Sequence, residues 1–111
     1  MRYFLGVDVG GTKTQALIAD ESGYALALGE GGPGNHEEVG YAGLANAMRQ
    51  AVDQALARSG ISMQQIAGAG FGVAGYDWPS ERGPTLEAIA TLGLNAAVGA
   101  EIGRASCRER V

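Results

Sequence analysis

Residues 6–14 have the sequence Gly-Val-Asp-Val-Gly-Gly-Thr-Lys-Thr, whose residue types suit the binding of phosphate. The Gly-Gly pair permits a tight turn with backbone conformations that other residues rarely adopt, and it lets a ligand approach the main chain. Successive N–H groups in such a turn form a concave site for an anion. Hydroxyl groups and a lysine add further donors. We predict that nucleotide phosphates are bound by Gly10, Gly11, Thr12, Lys13 and Thr14.

Asp8 is the acid of this stretch, and it stands just before the turn. Mg²⁺ keeps several waters when it binds to proteins and uses few carboxylates, so we predict that Asp8 holds the metal through water. Apolar runs flank the turn on both sides. They predict strands at Tyr3–Val9 and Lys13–Asp20, joined as a β-hairpin.

Two other interpretations account for parts of the stretch. A P-loop requires G-x-x-x-x-G-K-[ST] at the start of a helix, but here Thr12 separates Gly11 from Lys13 and a strand pattern follows. A plain Gly-Gly hairpin with solvated side chains explains the glycines alone. It does not explain an acid at a strand end beside three donors, which phosphate binding does.

Residues 8–14 resemble the first phosphate motif of the actin-like ATPase and sugar kinase superfamily. Within that superfamily, the chain is most similar to N-acetylglucosamine kinases and BadF/BadG/BcrA/BcrD-type ATPases, from about Tyr3 to Gly99. The similarity includes a Gly-Pro-Gly-Asn stretch and a strand that ends in Gly-Val-Ala-Gly. The resemblance implies that the hairpin wraps the phosphates of ATP, that Asp8 helps to place Mg²⁺ and that Thr12 meets the nucleotide.

The apolar pattern predicts the element order β-β-β-α-β-α-β. After the hairpin we expect a strand at Tyr24–Gly29, a helix from Glu37 or Val39 to Arg58, a strand at Ile66–Ala74, a helix at Thr85–Leu92 and a strand at Leu94–Ala100. The long helix has an apolar face that should lie in the core, formed by Tyr41, Leu44, Ala45, Met48, Ala51, Val52, Ala55 and Leu56. The order matches an α/β, ribonuclease H-like lobe of the actin-like ATPase fold, with an antiparallel hairpin edge on a mixed sheet.

Length and charge limit the class of protein. The chain has 111 residues, of which 46% are hydrophobic, and this suits one modest domain with a real core. The net charge is −4 and there is no basic patch, which argues against a nucleic-acid-binding module. No apolar run approaches the roughly 20 residues of a membrane span, and no signal peptide is visible. With Cys107 as the single cysteine, we expect a reduced, cytoplasmic protein.

Residues 101–111 differ from the rest of the chain. Three of the eight basic residues and the only cysteine lie there, and the hydrophobic periodicity stops. The string resembles the translation of a common sequencing adapter. We therefore interpret residues 1–100 as a partial N-terminal lobe and residues 101–111 as non-native, with a genuine basic tail as the alternative.

Two residues outside the hairpin are candidates for sugar binding. Asn35 is either a turn and helix-cap residue or an amide that exchanges hydrogen bonds with sugar hydroxyls, the role that the resemblance implies. Asp77 follows a strand end, where α/β proteins place ligands, and it is either a sugar contact or a solvated turn acid. His36 is interpreted as a residue of the helix start rather than as a catalyst.

The resemblance implies a sugar kinase that uses Mg²⁺ and ATP and phosphorylates an amino sugar such as N-acetylglucosamine. The base expected in that family follows the fifth strand and has no counterpart before residue 101, so the catalytic residue is unknown and the chain alone should be inactive. An ATPase that activates a partner reductase or dehydratase and a sugar-sensing regulator are the alternatives. Expected partners are ATP and a small sugar, with no nucleic acid or membrane, and with a homodimer of the complete protein.

Overall fold

The structure is a computed structural model that describes residues 2–10, 12–34, 36–73, 82–93 and 97–102. Its elements are β1 (Tyr3–Val9), β2 (Thr14–Asp20), β3 (Ala25–Gly31), α1 (His36–Ser59), a 3₁₀ turn (Met63–Gln65), β4 (Ile66–Val73), α2 (Arg82–Ala90) and β5 (Ala97–Ile102). The strands form one sheet in the order β3-β2-β1-β4-β5. β1, β2 and β3 are antiparallel neighbours, whereas β4 runs parallel to β1 and β5 parallel to β4. The predicted α/β lobe with a hairpin edge is confirmed.

The two faces of the sheet have different environments. Successive side chains of a strand point to opposite faces, so Leu5, Val7 and Val9 of β1 are buried while Phe4 and Asp8 are exposed. Both helices contribute to the core on the buried face, where α1 packs on β3 and β2 and α2 packs on α1. The opposite face, which carries Phe4, Gly6 and Asp8, is called the open face below. The largest fully buried side chains are Val9, Thr14, Ile18, Leu44, Met48 and Val52.

The long helix is confirmed, and its predicted apolar face lies in the core. The structure begins the helix at His36 and shows a break at Gly40, where φ is 74° and ψ is 173°. A positive φ of this size favours glycine, which explains why the break occurs at this position. Neither helix of the described ranges combines the length and the apolar character needed to cross a membrane.

Some element bounds differ from the sequence prediction. β3 continues to Gly31, and α2 begins at Arg82 rather than at Thr85. Pro84 is compatible with this earlier start, because the first N–H groups of a helix have no partner within the helix. β5 continues to Ile102, past the expected end at Ala100. Residues 103–111 lie outside the described ranges, so the origin of this tail stays a prediction.

A tight turn at residues 20–24 joins β2 to β3. The Asp20 carboxylate accepts hydrogen bonds from the Ser22 hydroxyl at 2.6 Å and from the amides of Ser22 and Tyr24 at 3.0 and 3.1 Å. These bonds, led by that of the Ser22 hydroxyl, lower the pKa of Asp20. Gly23 adopts a φ of 89°, which favours glycine. The turn fixes β2 beside β3 at the end of the sheet far from the phosphate hairpin.

Candidate functional site

The hairpin turn leaves the amides of Thr12 and Lys13 without partners among the residues that the structure describes. The Gly10 amide donates to the Lys13 carbonyl oxygen at 2.9 Å and closes the turn. Thr12 and Lys13 are exposed, and their amides donate to no group in the described part of the chain. Gly11 lies outside the described residues. Adjacent free amides at an exposed turn can donate to the oxygens of one anion.

Asp8 lies at the end of β1 on the open face. Its neighbours across the sheet are Gln15 of β2 and Gly72 of β4. β1 and β4 are parallel, so their carboxyl ends meet at one edge, which is where α/β sheets bind ligands. The exposed Asp8 carboxylate makes no hydrogen bond or ion pair with any described residue. Its charge is therefore available to a ligand.

The donor set fits a hydrated Mg²⁺ rather than a metal held by protein atoms alone. Within residues 2–10, 12–34, 36–73, 82–93 and 97–102, no three His, Cys, Asp or Glu side chains form a group that could hold a metal. A single carboxylate is enough for Mg²⁺, because this ion keeps several waters and is also bound by substrate phosphates. Asp8 beside a turn with free amides meets that requirement.

Lys13 lies beside Glu30, a residue for which the sequence suggested no role. The Lys13 Nζ is 3.8 Å from Glu30 Oε2, and both side chains are more than half exposed. Gln15 Nε2 donates to the same carboxylate oxygen at 3.4 Å. Exposed ion pairs of this kind contribute about 0–1 kcal/mol. Lys13 can therefore exchange Glu30 for a phosphate oxygen at little cost.

Thr14 and Gly10 have partners inside the protein. The Thr14 side chain is fully buried, and its hydroxyl donates to the Gly32 carbonyl oxygen at 2.9 Å. It points away from the open face on which Asp8 lies. Gly10 uses its amide in the turn, and its carbonyl oxygen accepts from the Gly34 amide at 3.2 Å. The structure therefore brings Asp8, Thr12 and Lys13 to one exposed site but does not bring the Thr14 hydroxyl there.

The loop that follows β3 supports the hairpin from the buried face. A Cβ atom at Gly34 would lie 2.4 Å from Val9 Cγ1, so only glycine fits this close contact. The Gly32 amide donates to Gln50 Oε1 of α1 at 3.3 Å. The sequence suggested no role for Gln50. Asn35 and Asp77, the two predicted sugar contacts, lie outside the described residues.

The family model of the BadF/BadG/BcrA/BcrD ATPases matches residues 5–101 of the chain. No curated protein matches it. Solved structures with the same fold include proteins assigned as N-acetylglucosamine kinases from Chromobacterium violaceum and Porphyromonas gingivalis. Both are 24% identical to the chain, with TM-scores of 0.67 and 0.65, and each match covers 93% of the chain.

Component A of (R)-2-hydroxyglutaryl-CoA dehydratase from Acidaminococcus fermentans is another structure with this fold. It is 18% identical, with a TM-score of 0.56, and the match covers 92% of the chain. The chain spans only 35%, 34% and 31% of the lengths of these three structures, in the order given. At these identities the structural likeness shows the fold alone. The family model, in contrast, matches most of the chain.

Proposed function

Because this chain belongs to the BadF/BadG/BcrA/BcrD ATPase family, we propose that it is the N-terminal part of an ATP-dependent sugar kinase. The acceptor that we propose is an amino sugar such as N-acetylglucosamine. One observation carries the proposal: the turn at residues 10–13 has free amides at Thr12 and Lys13, beside an Asp8 carboxylate that also has no partner in the described chain. We further propose a cytoplasmic location, where the protein meets ATP.

The residues of the hairpin would bind and orient the phosphates. Phosphoryl transfer depends mainly on positioning and on neutralising charge, since the protein needs to supply little covalent chemistry. The amides of Thr12 and Lys13 and the Thr12 hydroxyl donate to phosphate oxygens, and the Lys13 ammonium group adds positive charge. Asp8 would hold Mg²⁺ through water, and the ion would supply positive charge that offsets the charge of the phosphates.

The acceptor side of the reaction involves two further residues. We propose that Asn35 and Asp77 contact the sugar, as the family resemblance implies. A sugar hydroxyl also needs a base to take its proton, and we assign this role to no residue of the chain. Support for a sugar acceptor comes from the two structures assigned as N-acetylglucosamine kinases.

An ATPase that activates a partner enzyme is the second candidate. The similarity to component A of (R)-2-hydroxyglutaryl-CoA dehydratase favours it. In that case Asp8, Thr12 and Lys13 would bind ATP as proposed above. The two candidates therefore differ in the acceptor and not in the phosphate site.

An ADP-release assay on the complete protein distinguishes the two candidates. With Mg²⁺-ATP, a kinase should release ADP only when its sugar is present, and mass spectrometry should detect a phosphorylated sugar. A panel of amino sugars, with neutral hexoses as controls, identifies the acceptor. ADP release that no sugar stimulates would contradict the kinase proposal and favour the activator.

A further inference from the structure

We propose that Glu30 competes with nucleotide phosphates for the Lys13 ammonium group and thereby lowers the affinity of the hairpin turn for Mg²⁺-ATP. The inference rests on the proposed binding of phosphates at this turn, and it adds a residue that regulates the same site. Three observations carry it: the ion pair between Lys13 and Glu30, the contacts that fix Glu30, and the position of this pair relative to Asp8.

The ion pair joins the turn to the edge strand of the sheet. The Lys13 Nζ lies 3.8 Å from Glu30 Oε2, and both side chains are more than half exposed. Exposed pairs of this kind are weak, because water solvates both charges. A phosphate, which carries more negative charge than a carboxylate, can therefore take Lys13 from Glu30, but it must break the pair to do so.

Glu30 is held in place through both its backbone and its side chain. Its amide donates to Gln54 Oε1 of α1 at 2.8 Å, and its Oε2 accepts from Gln15 Nε2 at 3.4 Å. Lys13, in contrast, precedes β2 and has a long, flexible side chain. When the pair breaks, the lysine is thus the partner that moves.

Asp8, Gln15 and Glu30 form a row across the open face, in which Gln15 lies between the two acids. Asp8 is the direct neighbour of Gln15 on the adjacent strand, and Gln15 is the direct neighbour of Glu30. Strands lie about 4.8 Å apart, so the backbones of the two acids are separated by about 10 Å. Lys13 pairs with Glu30, whereas Asp8 has no ion pair within the described part of the chain. In this arrangement the ammonium group lies on the β3 side of the row, away from the carboxylate proposed to hold the metal.

Glu30 and a phosphate at the turn are two anions that compete for one lysine. Only the molecules in which Lys13 is free offer its charge to the phosphate, so the apparent affinity falls in proportion to the fraction that is free. An exposed ion pair can change this fraction about two- to fivefold. Glu30 therefore weakens nucleotide binding, and loss of its charge should strengthen it.

Glu30→Gln in the complete protein tests this inference, because glutamine keeps the shape of the side chain but removes its charge. We expect the Kd of Mg²⁺-ATP, measured by calorimetry, to fall about two- to fivefold at low salt and by less at high salt, where the pair is screened. Glu21→Gln is the matched control, because it removes the same charge from an exposed residue at the opposite end of β2. An unchanged Kd in Glu30→Gln, or an equal fall in both variants, would overturn the inference.

Lys13→Met separates competition for the lysine from general repulsion between Glu30 and the phosphates. Methionine removes the ammonium group but keeps an unbranched side chain of similar length. In the double variant, Glu30→Gln should leave the Kd of Mg²⁺-ATP almost unchanged relative to Lys13→Met alone, because no lysine remains to be released. A fall in the Kd as large as that in the protein with Lys13 would show that Glu30 acts by repulsion alone, and it would overturn the inference.

The same variants separate this inference from the proposed function. If Lys13→Met leaves the Kd unchanged, the lysine does not bind phosphate, and both its proposed role and this inference fail. If Lys13→Met weakens binding and Glu30→Gln has no effect, only the inference fails. If Glu30→Gln strengthens binding through Lys13 but no sugar stimulates ADP release, the kinase proposal fails and the inference stands.

Discussion

Asp8, Thr12 and Lys13 differ from Thr14 in how their polar groups are used. The first three residues are exposed. Within the described part of the chain, the Asp8 carboxylate and the amides of Thr12 and Lys13 have no partner, and the Lys13 ammonium group is only weakly paired with Glu30. The Thr14 hydroxyl is buried and paired with a backbone oxygen. Free polar groups on one exposed turn are suited to bind a ligand, whereas a buried and satisfied group stabilises the fold. This difference decides which residues of the motif we expect to affect turnover directly.

Asp8→Asn in the complete protein should lower turnover by orders of magnitude and leave the fold intact. The asparagine keeps the shape of the side chain but removes the charge that helps to hold the hydrated metal. ATP turnover measured over a range of Mg²⁺ concentrations checks the expectation. Asp53→Asn is the control, because Asp53 is an exposed acid on α1, 3.9 Å from Arg49 and far from the turn in sequence. Unchanged turnover in the Asp8 variant would exclude the metal assignment.

Asn35→Ala should raise the sugar KM more than the ATP KM. A sugar hydroxyl left unpaired in a closed site costs about 1–3 kcal/mol, and each 1.4 kcal/mol is about tenfold in affinity. Steady-state kinetics with each substrate varied in turn measures both constants. If both KM values are unchanged and only the thermal stability falls, Asn35 is a turn and cap residue and not a sugar contact.

The residue types of the site could be predicted from the sequence, but not all of their roles. The alternation of β2 places Thr14, Ala16 and Ile18 on one face, and this pattern alone could have shown that the Thr14 side chain is buried. Its partner Gly32 could not be predicted, because that contact joins residues that are distant in sequence and depends on how β3 lies beside β2. Glu30 beside Lys13 was missed for the same reason.

At the scale of elements, α1 and β3 approach each other unusually closely. A Cβ atom at Gly29 would lie 2.0 Å from the Ala51 carbonyl oxygen, and one at Gly31 would lie 2.3 Å from that of Ala47. Glycines on the strand and alanines on the helix therefore allow backbone to pack on backbone. This closeness lets side chains of α1 reach the backbone of β3 and of the residue that follows it at three positions: Gln50 to Gly32, Gln54 to Glu30 and Arg58 to Leu28.

The three contacts recur at matching distances along α1 and along the strand because the two elements rise by similar amounts. Four residues of a helix rise about 6 Å, and two residues of a strand rise about 6.6 Å. The helix residues are spaced by four and their strand partners by two. β3 is an edge strand, and its outward groups at Glu30 and Leu28 are thus bonded rather than left free to pair with another strand.

Gly31→Ala should destabilise the protein by about 1–3 kcal/mol, the usual cost of overpacking. The added methyl group meets backbone of α1, which cannot move aside without displacing the helix. Gly32→Ala is the matched control, since a Cβ at this neighbouring position meets nothing within 4 Å. Thermal or urea unfolding of the two variants gives the comparison. Equal stability of the two would show that α1 does not approach β3 as closely as described.

The elements were predictable where local signals are strong. An apolar run located β1 correctly from Tyr3 to Val9, and the helical period located the buried face of α1. The break at Gly40 and the early start of α2 were not predicted. The local pattern could not decide either one, since glycine and proline near a helix start are compatible with several conformations. The pairing of Gly29 and Gly31 with an alanine stripe on α1 was a signal for close packing that could have been used.

At the scale of the whole molecule, the described part of the sheet is covered by helices on one face only. The open face carries Phe4, Leu17 and Leu28 with 37%, 42% and 44% of their surface exposed. Leu17 and Leu28 are direct neighbours on β2 and β3. Exposed apolar patches of this kind favour association. The isolated chain should therefore aggregate more readily than a domain with both faces covered.

The isolated 111-residue chain should show no sugar-dependent ATP turnover. Phosphoryl transfer requires both reactants to be aligned, since positioning supplies much of the rate. The chain offers one phosphate turn and two candidate sugar contacts, and no residue of it is assigned as the base. A coupled ADP-release assay with Mg²⁺-ATP and N-acetylglucosamine measures this. Turnover above the background measured without protein would contradict our expectation that the 111 residues alone lack groups that catalysis requires.

The central claim is that ATP phosphates bind at the turn of residues 10–13, and the Lys13 amide reports on it most directly. Lys13 is the only lysine of the chain, so ¹⁵N-lysine labelling of the complete protein gives one signal from this region, identified by its loss in Lys13→Arg. Titration with Mg²⁺-ATP should shift this signal, because a phosphate oxygen replaces water at the amide, and titration with adenosine should not. A Lys13 signal that saturating Mg²⁺-ATP leaves unmoved, or that adenosine shifts equally, would contradict the account.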